Sequence, residues 1–153
     1  MTHAHTTDRA ARPSLYQSDL YAWVQEQVRL LRAGRLDEID AENIAEEISD
    51  VATNEYDKLE TALRVLLAHM LKWDHQPDRR SRSCENTITE QRNRAERQLR
   101  KNPSLKSLRD EAVRDGYDDA RLLASTETDM DVETFPESCP YDWDDIVSRE
   151  FKR

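Results

Sequence analysis

Residues 63–71 read LRVLLAHML, an apolar run that only Arg64 and His69 interrupt. A helix that is apolar nearly all round its circumference packs between several neighbours. Asp40 can cap a helix, and no helix breaker follows it until Pro77. The pattern therefore predicts one long central helix of about 33 residues, roughly 50 Å long at 1.5 Å per residue.

Apolar residues spaced three and four positions apart predict three further long helices. Counted along the chain with the central helix as the second, the first helix follows a Ser18 cap and ends at Gly34. The third follows a Ser83 cap, with Thr87-x-x-Glu90 as an alternative capping box. The break at residues 102–104, Asn-Pro-Ser, starts the fourth helix. Gly116 inside this fourth helix costs helix stability, so we expect another backbone to approach closely there.

The C-terminal part predicts an arm rather than another long helix. Residues 135–140, FPESCP, are extended because each proline biases its predecessor away from helix, and they fasten the arm as a rigid clasp. Asp142 can cap a short last helix. We therefore expect an all-α fold, an up-down four-helix bundle with one long central helix, a C-terminal extended arm and a short helix. We expect a disordered tail over residues 1–14 and a single helical domain over residues 15–153.

Composition excludes several classes of protein. The chain carries a net charge of −9, and no run of about 20 apolar residues could cross a membrane. Two glycines cannot build a Gly-rich phosphate loop, and the N-terminus lacks the apolar segment of a secretory signal. Cys84 and Cys139 lack metal-ligand spacing, so we expect reduced thiols in a cytoplasmic protein, with a disulfide as the alternative.

Charge is segregated along the chain. Residues 37–60 carry ten acids and one base, whereas residues 72–106 carry ten bases and five acids. Charge complementarity between neighbouring helices explains this pattern, and a polyanion-binding face is the alternative. No aromatic side chain interleaves with these cations, and the net charge repels nucleic acid. The cations of the alternative face are Arg79, Arg80, Arg82, Arg94, Arg97, Arg100 and Lys101.

The sequence offers no catalytic constellation and no cofactor motif. Glu47-x-x-Asp50 is a weak metal-binding candidate, because helical nucleotide pyrophosphatases hold magnesium with such pairs on adjacent helices. Its partner would be Asp115-x-x-Asp118, but Asp115 should face water. Neither cysteine has a neighbouring His in the sequence, which disfavours nucleophilic catalysis.

Two local polar contacts are expected instead, Gln27 with Glu47 and His69 with Glu90, if the helices are antiparallel. Glu55 is a carboxylate inside an apolar stripe, and the pattern leaves open whether it is neutral, paired or turned to solvent.

A set of short motifs runs along nearly the whole chain. They are Leu15-Tyr16-x-x-Asp19-x-x-x-Trp23-x-x-x-Gln27, Glu46-Glu47-Ile48, Leu66-Leu67-x-His69-x-Leu71-Lys72-Trp73, Gln76-Pro77, Arg92, Pro103-Ser104-Leu105-Lys106, Tyr117-x-x-Ala120 and Phe135-Pro136-x-x-Cys139-Pro140. This combination resembles the family called domain of unknown function twenty-nine. The resemblance covers about residues 14–151 and implies a small, all-helical, mainly bacterial protein without implying a reaction. It adds weight to Asp19, Gln27, Glu47, His69 and Arg92 as pattern positions, while Cys84 stands where the family favours Trp.

The function that these observations favour is a non-enzymatic protein-interaction or regulatory module. Large apolar residues are few, so a partner subunit that covers apolar surface would stabilise the chain. We expect a homo-oligomer or an unknown protein partner, with contact through residues 63–73 and the flank at Leu122 and Leu123. The alternatives are a metal-dependent phosphohydrolase centred on Glu47 and Asp50, and an RNA-binding module on the basic third helix.

Overall fold

The computed structural model describes residues 14–152, which form α-helices, 3-10 turns and loops without a β-strand. The all-α prediction is confirmed. Apart from Ser14, the predicted tail lies outside the described residues, and Ser14 itself caps the first helix. The helices are α1 (Leu15–Ser18), α2 (Leu20–Arg32), α3 (Ala41–His75), α4 (Arg82–Lys101), α5 (Arg109–Thr128) and α6 (Trp143–Ser148).

Helix boundaries follow local capping. Asp40 accepts a hydrogen bond from the Asn43 N–H at the start of α3, and Gly34 ends α2 with a φ of +70°. Two predicted caps were wrong: Asp19 rather than Ser18 caps α2, and Ser81 rather than Ser83 caps α4. These two corrections move the starts of α2 and α4 by a few residues and leave the order of the long helices as predicted.

The 3-10 turns connect the helices at prolines. Pro77–Arg79 separates α3 from α4, and Pro103–Leu108 separates α4 from α5, which therefore begins later than the predicted break. Within residues 14–152, no helix is both long and apolar enough to cross a membrane.

The chain divides into two compact units, Met1–Asp50 and Val51–Arg153. The described part of the first, residues 14–50, is called the N-terminal unit, and residues 51–152 are the C-terminal unit. Residues 41–50 of α3 belong to the N-terminal unit and the remainder of α3 to the C-terminal unit. The predicted place of α2 in a four-helix bundle, and a single domain over residues 15–153, stay predictions.

The core of the C-terminal unit forms where α3 packs against α4 and α5. Residues 63–71 contribute side chains that are fully buried there, including Leu63, Leu67 and Leu71. The predicted use of residues 63–73 for self-association was therefore wrong, because the chain itself covers this run. Only Leu122 of the predicted surface is exposed.

Gly116 lets α5 approach α3 closely. A Cβ atom at this position would lie 3.2 Å from the Glu60 carbonyl oxygen and 3.3 Å from the Arg64 backbone nitrogen. Both neighbours are backbone atoms of α3, so the predicted close approach of another backbone is confirmed.

The C-terminal arm crosses the C-terminal unit and is fastened by polar contacts. The Tyr117 hydroxyl donates to the Pro136 carbonyl at 2.7 Å, and Arg92 donates to the carbonyls of Asp145 and Ile146 at 3.0 and 2.7 Å. Phe135 is buried in the same unit. These contacts hold the extended arm and α6 against the long helices.

Candidate functional site

A groove of about 640 Å³ lies between α3 and α4 in the C-terminal unit, and we call it the α3–α4 groove. The two helices are antiparallel, with Glu55 opposite Gln98 and His69 opposite Cys84. Small-ligand clefts of this size are lined mainly by apolar side chains, whereas the lining of this groove is mostly polar. Its lining residues are Asn54, Asp57, Lys58, Thr61 and Ala62 from α3 and Gln91, Arg94, Arg97 and Gln98 from α4.

Glu55 is ionised and paired at one end of this groove. Its carboxylate accepts hydrogen bonds from Lys58, Gln98, Asn102 and Lys101 at 2.7, 2.7, 2.8 and 3.1 Å. These donors, Lys58 first, hold the pKa of Glu55 well below its ordinary value. The question that the sequence left open is thereby settled, and the carboxylate ties α3 to the end of α4.

Two buried amides of α4 line the groove. Gln91 and Gln98 are each 8 % exposed. The Gln98 amide donates to the carboxylate and to the backbone carbonyl of Glu55, both at 2.7 Å. The Gln91 side chain has no protein hydrogen-bond partner among residues 14–152, and its amide atoms keep contact with solvent.

The cations of the groove differ in their partners. Arg94 forms an ion pair with Glu90 at 2.6 Å, and Lys58 forms one with Glu55. Arg97 has no ion pair in the part of the chain that the structure describes. The groove therefore contains one guanidinium without an ion pair in the described residues.

A thiol and an imidazole meet near the opposite end of α3. The Cys84 Sγ lies 3.4 Å from the His69 Nδ1, and the His69 Nε2 lies 3.9 Å from a Glu127 oxygen, which also binds Lys72 at 2.5 Å. The sequence analysis missed this neighbour of Cys84, and the predicted pair of His69 with Glu90 was wrong. Burial raises the pKa of the Cys84 thiol and lowers the pKa of His69, so the pair rests as neutral thiol and neutral imidazole. That state lacks the thiolate of a reactive cysteine.

The predicted contact of Gln27 with Glu47 was also wrong. Gln27 accepts a hydrogen bond from the backbone N–H of Asp40 at 2.8 Å, and Glu47 accepts one from the Tyr16 hydroxyl at 2.9 Å. The Glu47 hydrogen bond raises the pKa of Tyr16 to about 12. Both contacts lie within the N-terminal unit. They stabilise the helical hairpin that α1, α2 and the start of α3 form.

Nothing in the described residues adds to the metal-site alternative. No three His, Cys, Asp or Glu side chains between residues 14 and 152 are arranged to hold a metal ion. Glu47 is used by Tyr16, and Asp50 is exposed. Asp115 is exposed, as predicted, and it accepts a hydrogen bond from Tyr56 at 2.5 Å. The phosphohydrolase alternative stays a prediction.

The seven cations of the alternative polyanion face have different surroundings. Arg80 stacks on Trp73 at 5.1 Å and donates to its backbone carbonyl, and Lys101 binds Glu55. Arg94 and Arg100 have carboxylates of their own helix within 2.6 and 3.8 Å. The described residues offer no ion pair to Arg79, Arg82 or Arg97. The RNA-binding alternative stays a prediction.

The remaining pattern positions have structural contacts. Asp19 caps α2 by accepting a hydrogen bond from the Ala22 N–H at 3.0 Å. Arg92 holds α6 through two backbone carbonyls and lies over the Phe151 ring at 5.2 Å. Both cysteines are free.

The sequence analysis missed the groove because it followed apolar stripes. Gln91 and Gln98 lie seven residues apart, which places them on the same face of α4 as buried Ile88 and Ala95. Polar residues repeated at heptad spacing inside an apolar stripe were the available signal.

One family model, described as "Domain of unknown function DUF29", matches residues 15–152. No curated protein and no solved structure matches the chain.

Proposed function

We propose that this chain, which belongs to the DUF29 family, is a non-enzymatic interaction module that pairs with a second copy of itself through α2. The observation that supports this proposal is an apolar stripe on α2 that remains at the surface. Its exposed members are Leu20, Val24 and Leu31, with exposed fractions of 47, 36 and 43 %, and Val28 between them is half-buried.

The stripe borders the residues of α2 that the hairpin buries, since Leu20 and buried Gln27 lie about 20° apart around the helix. Trp23, Gln27 and Leu30 are the buried residues of α2, and one of them is polar. The Trp23 indole donates to Asp40 at 3.2 Å and packs edge-on to Tyr16. A hairpin with so small an apolar core is stabilised by a partner that covers the exposed stripe beside it.

The spacing of the stripe suits an antiparallel partner helix of the same sequence. Because the stripe is centred near residue 26, antiparallel pairing places Leu20 opposite Leu31 and Val24 opposite Val28 of the second copy. Such a contact is self-complementary, as a two-fold interface requires. The stripe is about 17 Å long at 1.5 Å per residue.

The charges on α2 favour the same arrangement. Asp19 lies at the start of α2, whereas Arg29 and Arg32 lie in its last turn. Antiparallel pairing brings the acidic start of one helix to the basic end of the other, and the two helix dipoles then attract.

The expected affinity is modest. A stripe of three turns covers on the order of 400 Å² on each copy, about half of the roughly 800 Å² per partner of a standard interface. We expect a dissociation constant in the micromolar range or weaker, which suits a regulatory contact. The two free thiols agree with a reducing cytoplasm, where we propose that the module acts.

Sedimentation velocity of the full chain up to about 200 µM tests the proposal. The wild type should form dimers as the concentration rises, and Val24→Glu should remain monomeric because it places a charge in the centre of the stripe. Leu122→Glu is the matched control, since Leu122 is an exposed leucine of α5. A monomeric wild type, or dimerisation that Val24→Glu leaves unchanged, would contradict the proposal.

A further inference from the structure

The first turns of α3 have an exposed apolar side. Ile48 is 64 % exposed, and Ala41 and Ala45 are exposed on the same side of the helix. Glu47 accepts the hydrogen bond from Tyr16, so the half-buried side of these turns faces α1 and α2. Ile48 lies about 90° around the helix from the centre of this half-buried side, which consists of Asn43, Ile44 and Glu47.

The exposed stripe of α2 lies on the same side of the hairpin. Val24 is also about 90° from the centre of the buried side of its helix, and the rotation has the same sense as on α3. The two helices are antiparallel, because Gln27 contacts Asp40 whereas the earlier Tyr16 contacts the later Glu47. A local two-fold axis perpendicular to the plane of the two helices relates such a pair. Equal rotations from the contact therefore point to one side of the hairpin.

The opposite side of the hairpin is charged. Glu42, Glu46 and Asp50 of α3 and Arg29 of α2 are exposed there, at rotations of the opposite sense. The hairpin is thus amphipathic across both of its helices. We call its apolar side the hairpin face, which consists of the α2 stripe with Ala41, Ala45 and Ile48.

We propose that a second copy of the chain covers the whole hairpin face, with Ile48 of each copy against Leu36 of the other. This inference rests on the antiparallel self-pairing of α2 proposed above. Continued one turn beyond Leu20 opposite Leu31, that pairing places residue 16 level with about residue 36 of the second copy. Ile48 lies at the level of residue 16, because the adjacent Glu47 binds Tyr16. Leu36, in the loop between α2 and α3, is 63 % exposed.

The larger face brings the contact closer to the size that a stable dimer needs. The α2 stripe alone covers on the order of 400 Å² on each copy, and the start of α3 extends this toward the roughly 800 Å² of a standard interface. The two-fold axis repeats the contact of Ile48 with Leu36 at both ends of the interface. The net charge of −9 disfavours an anionic lipid surface or a nucleic acid as the occupant of this face.

Sedimentation velocity of matched alanine variants tests the proposal. Ile48→Ala should raise the dissociation constant of the dimer by about tenfold or more, because it removes apolar contact at both ends of the interface. Glu46→Ala is the control: Glu46 is exposed on the charged side of the same helix, so the change should be less than about twofold. If Val24→Glu abolishes dimers while Ile48→Ala dimerises as the wild type does, α2 pairs alone and the hairpin face is overturned. A monomeric wild type would overturn both this inference and the proposed function.

Disulfide trapping gives a readout that does not depend on affinity. In a chain whose two cysteines are serines, Leu36→Cys combined with Ile48→Cys should form covalent dimers on mild oxidation, at a concentration where the wild type dimerises. One copy cannot form this bridge by itself, because residues 41 to 48 of α3 carry Ile48 about 10 Å away from the loop. Leu36→Cys combined with Glu46→Cys is the control and should remain monomeric on a denaturing gel. Equal yields of covalent dimer from the two pairs, or none from Leu36→Cys with Ile48→Cys, would overturn the proposal.

Discussion

Arg149 binds the carboxylate of Asp74 with both terminal guanidinium nitrogens, Nη1 to Oδ2 at 2.9 Å and Nη2 to Oδ1 at 2.6 Å. Asp74 lies near the end of α3, and Arg149 directly follows α6. The Tyr141 hydroxyl donates to the same carboxylate at 2.9 Å. One side chain of the long helix therefore fixes two points of the C-terminal arm.

Asp74→Asn should destabilise the chain by about 1–2 kcal/mol, because the charge-assisted pair is lost while the shape of the side chain is kept. Urea unfolding followed by circular dichroism measures this change in the free energy of unfolding. Glu96→Gln is the control: its pair with Arg100 is 3.8 Å long and exposed, so its loss should cost less than about 0.5 kcal/mol. Equal effects of the two substitutions would contradict the role of Asp74.

Acid should destabilise the chain through Glu55 and Asp74. Donors from Lys58 and α4 lower the pKa of Glu55, and hydrogen bonds from Arg149 and Tyr141 lower the pKa of Asp74 although burial alone would raise it. A folded-state pKa below the unfolded one contributes stability above the unfolded pKa, and this contribution is lost as the pH falls.

The free energy of unfolding should therefore decrease as the pH falls from the ordinary pKa of Glu55, 4.5, toward about 3. Glu55→Gln should flatten this dependence, whereas Glu90→Gln, on an exposed pair of one helix, should leave it unchanged. Urea unfolding at several pH values measures both slopes. A Glu55→Gln slope equal to that of the wild type would contradict the tie between α3 and α4.

Gly116→Ala should destabilise the chain by about 1–3 kcal/mol, although alanine favours a helix by about 1 kcal/mol. The added Cβ would meet backbone atoms of Glu60 and Arg64 at 3.2 and 3.3 Å, and backbone of a packed helix cannot move aside cheaply. Asp119→Ala, on the exposed side of α5, should change stability by less than about 0.5 kcal/mol. A more stable Gly116→Ala variant would show that α5 does not need this close approach.

The Cys84 thiol should react slowly in the folded chain. Burial raises its pKa, and the neighbouring imidazole of His69 is neutral and so does not stabilise a thiolate. Labelling with a chromogenic disulfide near neutral pH, with mass spectrometry to locate the product, measures the rate. Denaturant should raise the rate at Cys84 to that of a free cysteine, and an equally fast reaction in the folded chain would contradict a resting neutral pair.

The helices could be predicted because their signals are local. The apolar run at residues 63–71 predicts a helix that several neighbours cover, and the capping side chains at Asp40 and Asp142 are those that the structure uses. Choices between nearby serines failed, as at Ser81 and Ser83, because either hydroxyl could satisfy the first N–H groups of α4.

The side-chain contacts between helices could not be predicted, because they depend on register. The observed α3–α4 turn lies a few residues from the one that the sequence analysis assumed. This shift of about one helical turn places Cys84 opposite His69 instead of a residue near Glu90. Gln27 binds the N–H of Asp40 at the start of α3 instead of Glu47, because helix starts leave N–H groups without partners. The α3–α4 groove is lined by two buried glutamines, Gln91 and Gln98, that the sequence analysis had not singled out.

Distances between spin labels on two copies test the central claim, the antiparallel pairing of α2, most directly. One label is placed at Gln25, near the centre of the stripe, and another at Arg32, in a chain whose two cysteines are serines; both positions are exposed. The account predicts a short distance between copies at Gln25 and one about 10–20 Å longer at Arg32, since antiparallel helices separate by 1.5 Å per residue from the centre on each copy. Equal distances at the two positions, or none within range, would contradict it.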